Sequence, residues 1–353
     1  MPRKIILLGS LPPPYGGVAI FCQTLFASLK GYGAELWSYS GETSNTPGVT
    51  HINHRRLGLI PLLLRRGTGA KFIDSSHFLI EYPNPVLLPA WLFLKALLRF
   101  EWVKVIHDGS LPSRYADFGV VRRRLCRLAV SSVDHFVVVN DDLNVWLQNV
   151  MGVRQPVSIV NALLPIPPAA FNAELPAEEK LARHHRRVCS TGNFTPFYGF
   201  DQIAGAVERL RQETGDDIGL VLIDGTLLAD QEYRERILHG RDWITVLENV
   251  PHRQVLQVFM KSDAFVRGAQ HEGYGLSRIE AIWCDIPVLV PGGEESRGML
   301  HYNFGDEETL VSQLRKALYD PPREEIRKWA EQFRREAEEN LLQWKRLAGV
   351  SRD

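Results

Sequence analysis

The sequence predicts a two-domain α/β protein with parallel, doubly wound sheets, and three observations carry that prediction. At 353 residues the chain exceeds what one hydrophobic core usually serves. Short apolar runs alternate with helical patterns in both halves, as in βαβ units. A Pro-rich stretch at 165–168, polar onward to 187, has linker composition and separates the two series.

In the first half, residues 5–8 form a buried apolar run, and the breaker cluster PPPYGG follows at 12–17. Val18, Phe21, Cys22, Leu25, Phe26 and Leu29 then recur at helical spacing along one apolar face. Further strands are expected at 72–73, 103–106, 135–139 and 157–160. The apolar stretch 86–98 is 13 residues, short of the ~18 a membrane span needs. Pro89 and Lys95 interrupt it, so it reads as a core helix. In the second half, strands are expected at 187–190, 219–223, 244–247 and 264–266, with helices at 200–214 and 253–261. Residues 323–347 are helical by propensity, with Trp329, Phe333, Ala337 and Leu341 on one face. The domains are accordingly set at 1–165 and 187–330, with a linker at 166–186 and a C-terminal helix at 331–353.

With 45% hydrophobic and 23% charged residues the composition is globular, neither disordered nor fibrous. The formal net charge is zero, yet residues 1–165 hold 17 basic to 10 acidic residues and the remainder 24 to 31. The basic half suits contact with anionic lipid or phosphate, and equally describes a solvated surface. No nucleic-acid partner is expected. Cys22, Cys126, Cys189 and Cys284 lie far apart, without metal-ligand spacing, and read as reduced core thiols of a cytoplasmic protein. The apolar run at the N-terminus is too short for a signal peptide and reads as a first strand.

The informative segment is His271-Glu-Gly-Tyr-Gly-Leu-Ser-Arg-Ile-Glu-Ala-Ile-Trp-Cys-Asp-Ile-Pro-Val288. Glu272 precedes a glycine loop, the loop opens a helix, and Glu280 stands about one turn inside it. In open α/β sheets, ligands gather at the carboxyl ends of strands, where free N–H groups and the positive end of a helix hold phosphate. Gly273 and Gly275 let the backbone approach. Two acids separated by seven residues across such a loop can then divide the labour, Glu280 accepting hydrogen bonds from vicinal ribose hydroxyls and Glu272 meeting the sugar.

This segment resembles the E-x7-E signature of retaining glycosyltransferases of family 4, whose usual form is E-G-[FY]-G-L-x-x-x-E-A-x-x-x-G-x-P-V. Gly273, Tyr274, Gly275, Leu276, Glu280, Ala281, Pro287 and Val288 fall in place, with Asp285 where the family usually has Gly. The resemblance implies the GT-B fold, two Rossmann-like domains facing across a cleft with the C-terminal helix crossing back. It extends over most of the chain. Residues 12–17, with Gly16 and Gly17, look like the family's N-terminal glycine loop near the donor diphosphate. His107-Asp108 follows a strand, as does the family's His near the transferred sugar. Asn161 resembles the Asn ending the first domain, and Glu248-Asn-Val-Pro251 sits where the family places a loop near the nucleobase.

One departure stands out. The family presents Arg and Lys in a G-R-x(4)-K-G loop that neutralises the donor pyrophosphate, whereas this loop reads Gly192-Asn-Phe-Thr-Pro-Phe-Tyr-Gly199. Asn193 holds the Arg position and Tyr198 the Lys position. Arg267 and Arg278, flanking the E-x7-E loop, are the candidate replacements, or else plain surface residues. The resemblance implies a retaining, metal-independent transfer of a hexose-type sugar from a UDP- or GDP-linked donor to a saccharide or lipid-linked acceptor. Its candidate catalytic residues are Glu272 and His107. Donor contacts are expected from Gly16, Gly17, Asn193, Gly273, Tyr274, Gly275, Leu276, Glu280, Arg267 and Arg278. No metal or other cofactor is required in that scheme, and no D-x-D motif is present. A role in surface polysaccharide synthesis and peripheral contact with the inner face of a membrane are further expectations. Two rivals are a nicotinamide dehydrogenase, disfavoured because G-x-G-x-x-G is missing after the first strand, and a non-catalytic GT-B saccharide-binding or scaffold protein with a degenerate diphosphate site.

Overall fold

The computed structural model describes residues 3–40, 46–52, 58–175, 177–225, 230–269, 274–292 and 297–350. The chain divides into two compact units. One comprises Met1–Leu164 with Tyr274 and Glu338–Asp353, and the other Pro165–Gln270 with Gly275–Ala337.

The first unit holds seven strands: β1 (Ile5–Gly9), β2 (Glu35–Ser38), β3 (Val49–His51), β4 (Lys71–Asp74), β5 (Glu101–Ile106), β6 (His135–Val138) and β7 (Val157–Ile159). They pair in the order β3-β2-β1-β4-β5-β6-β7, every pair parallel. Parallel neighbours need crossovers, supplied in large part by helices α1 (Gly17–Leu29), α2 (Leu59–Arg66), α3 (Leu87–Leu98), α4 (Leu111–Ala116), α5 (Val120–Ser131) and α6 (Asp141–Asn149). The strand order reverses between β1 and β4. There Ile5, Ile6, Leu7 and Leu8 are all buried, as a strand covered on both faces requires.

Two of these strands escape the sequence reading. β2 and β3 are four and three residues long, too short for a period-2 signal, and are defined by register against neighbours: Leu36 pairs with Leu7 and Trp37 with Thr50. The stretch 86–98 is a helix as expected, but only one side is core. Leu87, Leu88, Trp91 and Leu94 are buried while Val86, Phe93 and Leu97 are exposed. Trp91 joins an edge-to-face aromatic cluster with Phe72 and Trp102, both at 5.4 Å between ring centroids.

Beneath that cluster, Asp74 at the end of β4 faces Lys104 of β5 at 3.6 Å, and both side chains are fully buried. Asp74 accepts from the Trp102 indole N–H at 3.0 Å and from the Ser76 amide at 2.8 Å, while Lys104 donates to the Ser76 carbonyl. Burial lowers the Lys104 pKa, with Asp74 opposing that shift. The pair survives in the core because each charge keeps fixed hydrogen-bond partners.

In the second unit, short helix α7 (Glu178–Leu181) precedes β8 (Arg186–Gly192), α8 (Phe200–Thr214), β9 (Ile218–Asp224), α9 (Gln231–Leu238), β10 (Ile244–Glu248), α10 (His252–Met260), β11 (Ala264–Val266), α11 (Leu276–Trp283), β12 (Val288–Pro291), β13 (Met299–Tyr302) and α12 (Glu307–Tyr319). The strands pair in parallel in the order β10-β9-β8-β11-β12-β13. β12 and β13 were not foreseen as strands. The stretch 166–186, read as a linker, carries a 3₁₀ turn at Pro168–Asn172 and α7, and clusters with this unit. The Gln257 side chain of α10 donates to the Ala170 carbonyl at 3.5 Å.

The final helix, α13 (Arg323–Ala348), covers the stretch 323–347 expected to be helical and so begins before residue 331, where the C-terminal segment was set apart. Its buried stripe is Ile326, Ala330, Phe333, Ala337, Asn340, Trp344 and Ala348, so Trp329 and Leu341 of the expected face lie at its margin. The residues from 338 onward belong with the first unit. The Trp344 ring meets Phe21 at 5.2 Å, Asn340 donates to Asn161 at 2.7 Å and to the Leu163 carbonyl at 3.0 Å, and Lys71 donates to the Leu347 carbonyl at 2.8 Å. Cys22, Cys126 and Cys189 are buried, which pushes each thiol up to about 12, and Cys284 is partly buried.

Lys104→Met strands the Asp74 carboxylate in the core and should lower the unfolding free energy by about 3–5 kcal/mol. A urea titration reads this directly, and Asp74→Leu combined with Lys104→Met should recover a large part of the loss.

Candidate functional site

The strand order of the second sheet reverses between β8 and β11, adjacent through Ala264↔Val188 and Phe265↔Cys189. At such a switch point the chain leaves the two strands in opposite directions and opens a crevice at their carboxyl ends. β8 runs out through Gly192 and Asn193 into a 3₁₀ turn, Pro196–Tyr198, and then α8. β11 runs out through Arg267 and Gly268.

Two glycines set the spacing here. A methyl on Gly192 would overlap the Tyr198 ring, and one on Gly268 would overlap the Tyr198 carbonyl oxygen. Tyr198 therefore packs down between the two strand ends. Its ring lies 5.2 Å from the Arg267 guanidinium carbon, within cation–π range. Arg267 is buried and donates through Nη1 to the Thr191 carbonyl and to Thr191 Oγ1 at 3.1 Å, while its own carbonyl accepts from Tyr302 Oη at 3.0 Å. Of the two candidate cations, Arg267 thus stands at the switch point beside the loop that lacks Arg and Lys. Arg278 lies in the first turn of α11, half-buried, its amide donating to the Gly275 carbonyl at 3.2 Å. Asn193 is buried at the head of the same β8 loop.

Helix α11 opens on Gly275, whose φ of 70° is left-handed and favours glycine. Tyr274 and Leu276 flank it, both half-buried. Glu272 and Gly273 lie outside the described residues. Glu280, in the second turn of α11, is 7% exposed. Its Oε1 contacts His252 Nε2 at 2.7 Å. Burial disfavours a charge on His252, but the Glu280 carboxylate outweighs it and raises the imidazole pKa above its ordinary 6.5.

His252 was missed by the sequence reading, although the stretch 248–251 that leads to it was singled out. It begins α10 directly after Pro251, and only the packing of α10 on α11 brings it to Glu280. Arg234 of α9 was missed as well. It lies 5.0 Å over the Phe194 ring, 3.9 Å from Asp224 and in an ion pair with Glu248, so it ties together the carboxyl ends of β9 and β10. No sequence motif marks it.

The remaining candidates belong to the first unit. Gly16 is the N-cap of α1, its carbonyl accepting from the Ile20 amide at 3.0 Å, and Gly17 is the first, exposed residue of the helix. His107 follows β5, edge-on to Phe21 at 4.7 Å between centroids. Its Nε2 is buried and has no hydrogen-bond partner among the described residues. Burial first, then His77 and Lys104, pushes His107 down to about 3, so the ring is neutral at ordinary pH. His77 contacts the buried Glu81 and, chiefly through burial, is pushed down to about 4. Among the described residues no group of three or more His, Cys, Asp and Glu is placed to hold a metal ion.

Residues 172–336, just under half of the chain, match the family model described as "Glycosyl transferases group 1". The full chain superposes on several solved structures. They include sucrose-phosphate synthase from Thermosynechococcus elongatus (TM-score 0.70, 15% identity, covering 99% of this chain and 100% of that one). HepE from Anabaena, solved with UDP and glucose, gives TM-score 0.72 at 14% identity, covering 98% of each chain. An α,α-trehalose-phosphate synthase (UDP-forming) from Burkholderia xenovorans, solved with glucose-6-phosphate, gives 0.70 at 15% identity, covering 98% of each. The fold is the GT-B architecture of glycosyltransferases. No curated protein sequence matches the chain.

Gly268→Ala should displace the Tyr198 turn and lower the thermal midpoint, whereas Gly205→Ala in α8, where a methyl meets nothing, should not; differential scanning calorimetry compares them. The raised His252 pKa makes protonation favour the folded state. Its contribution is full below 6.5 and is lost as pH rises through the higher folded value. His252→Asn should therefore lower unfolding free energy more at pH 6 than at pH 9 in parallel urea titrations.

Proposed function

We propose that the protein is a retaining glycosyltransferase that moves a hexose-type sugar from a nucleotide-sugar donor to a saccharide or lipid-linked saccharide acceptor. The observation that carries the reading is a buried guanidinium, Arg267, at the switch point of the second sheet, just past a strand whose following helix starts on glycine and bears a buried acid, Glu280. The family-4-like motif around Glu280 supports it, as do neighbours of the same fold solved with UDP and glucose. A UDP-linked hexose is accordingly favoured as donor.

In this reading Glu280 accepts hydrogen bonds from the vicinal ribose hydroxyls. A carboxylate offers about four lone-pair sites, so His252 orients it without filling it. The positive end of α11 and the backbone N–H groups of the glycine loop face the leaving diphosphate. Arg267 takes over the charge that the family's loop cations supply, and Tyr198, standing where a Lys is usual, supports that guanidinium with its ring. The sugar is transferred on the front face, the departing diphosphate oxygen accepting the acceptor's proton. Glu272 meets the sugar, and the neutral His107 offers it a hydrogen bond rather than a charge.

A second reading, a non-catalytic saccharide-binding protein, is favoured by Asn193 and Tyr198 at the positions of the missing cations. Isothermal titration with UDP-hexoses, followed by an assay for released UDP, separates the two: heat without turnover leaves the scaffold, and no heat with UDP- or GDP-sugars sinks the donor site itself.

Arg267→Met should weaken donor binding roughly ten- to hundredfold, the loss of about 1.5–3 kcal/mol in charge-assisted bonds, with Arg267→Lys intermediate. Glu280→Ala should raise the donor KM steeply. His107→Phe should keep the fold, since the ring already packs on Phe21, while suppressing turnover; unchanged kcat in that variant removes His107 from the proposal.

A further inference from the structure

Helix α3 is apolar except for Lys95, whose ammonium donates to Asp134 at 2.9 Å, and a helix so apolar is ordinarily enclosed by protein or lipid. Here the side turned away from the sheet is open. Val86, Pro89, Phe93, Ala96 and Leu97 are exposed, and no polar residue falls among them. Phe93 is 67% and Leu97 59% exposed. α3 packs against both α2 and α5, and these neighbours continue the pattern: Leu64 on α2 and Val120, Val121 and Leu128 on α5 are exposed as well. Exposed apolar side chains gathered on three neighbouring helices mark an interaction site rather than ordinary solvent contact.

Charge decides what it meets. α2, α3 and α5 contain no acidic residue, and α2 and α5 carry Arg65, Arg66, Arg122, Arg123, Arg124 and Arg127. On α5 exposed arginines alternate with exposed Val and Leu at helical spacing, so guanidinium heads stand beside apolar side chains on one surface. Arg122 lies 4.2 Å over Phe118 and 5.3 Å over the half-exposed Tyr82, which adds an aromatic ring with a polar tip to the margin. Apolar side chains that enter an acyl layer, rimmed by arginines at phosphate level, are the two components of interfacial binding. No described helix is long and apolar enough to cross a membrane, so contact would be along the surface.

We propose that the α2–α3–α5 face of the first unit docks on an anionic lipid bilayer, with Phe93 and Leu97 inserted and the α5 arginines on lipid phosphates. This stands independently of sugar transfer.

Flotation of the full chain tests it, using phosphatidylcholine vesicles with and without roughly one-third phosphatidylglycerol. The protein should float with the anionic vesicles and remain at the bottom with neutral ones. Phe93→Glu with Leu97→Glu should lose more than about tenfold in partitioning, as should Arg123→Glu with Arg124→Glu. Both pairs are exposed, so circular dichroism and UDP-sugar binding should match the parent. A parent that stays at the bottom of every gradient overturns the proposal, as does equal flotation with neutral vesicles. Light scattering that shows a stable dimer broken by Phe93→Glu also overturns it, by giving the face to a second copy of the chain.

Discussion

The close approach of Tyr198 to the ends of β8 and β11 is the constraint on which the candidate site depends. Gly192 and Gly268 leave room for the Tyr198 ring and carbonyl, and that packing sets where the loop between β8 and α8 runs. With the ring in place, Arg267 is held between an aromatic face and the Thr191 carbonyl. A side chain larger than hydrogen at either glycine would push the turn outward and release the guanidinium. Cationic charge thus stands on the strand end, at Arg267, while the loop from Gly192 to Gly199 carries none.

The Glu280–His252 pair shows how a helix and its neighbour divide a task. α11 contributes the acid from its second turn, and α10 contributes an imidazole from its first residue. Because the imidazole is held above its ordinary pKa by that acid, the acid retains a positively biased donor on one side. This holds the carboxylate in one orientation, the preorganisation that the proposed donor contact would use.

The first unit uses its polar core differently. Asp74 and Lys104 are fully enclosed and bound to backbone and indole partners, so they act on the fold. The same low dielectric that confines them keeps His107 neutral. The outer helices of this unit present apolar and arginine side chains together, where an enclosed core would have only the former.

Much of this was legible in the sequence because it depends on local pattern. The alternation of apolar runs with helical periodicity determined two parallel α/β units, and the segment around Gly275 marked Glu280 and the helix that carries it. Lost to the sequence were features defined by partners far along the chain. β2, β3, β12 and β13 are short strands recognisable only by whom they pair with. His252 meets Glu280 across 28 positions, and Tyr198 meets Arg267 across a strand crossover. The stretch 86–98 looked like core because hydrophobicity reports the wish to leave water, and only tertiary packing decides which half of a helix is granted it.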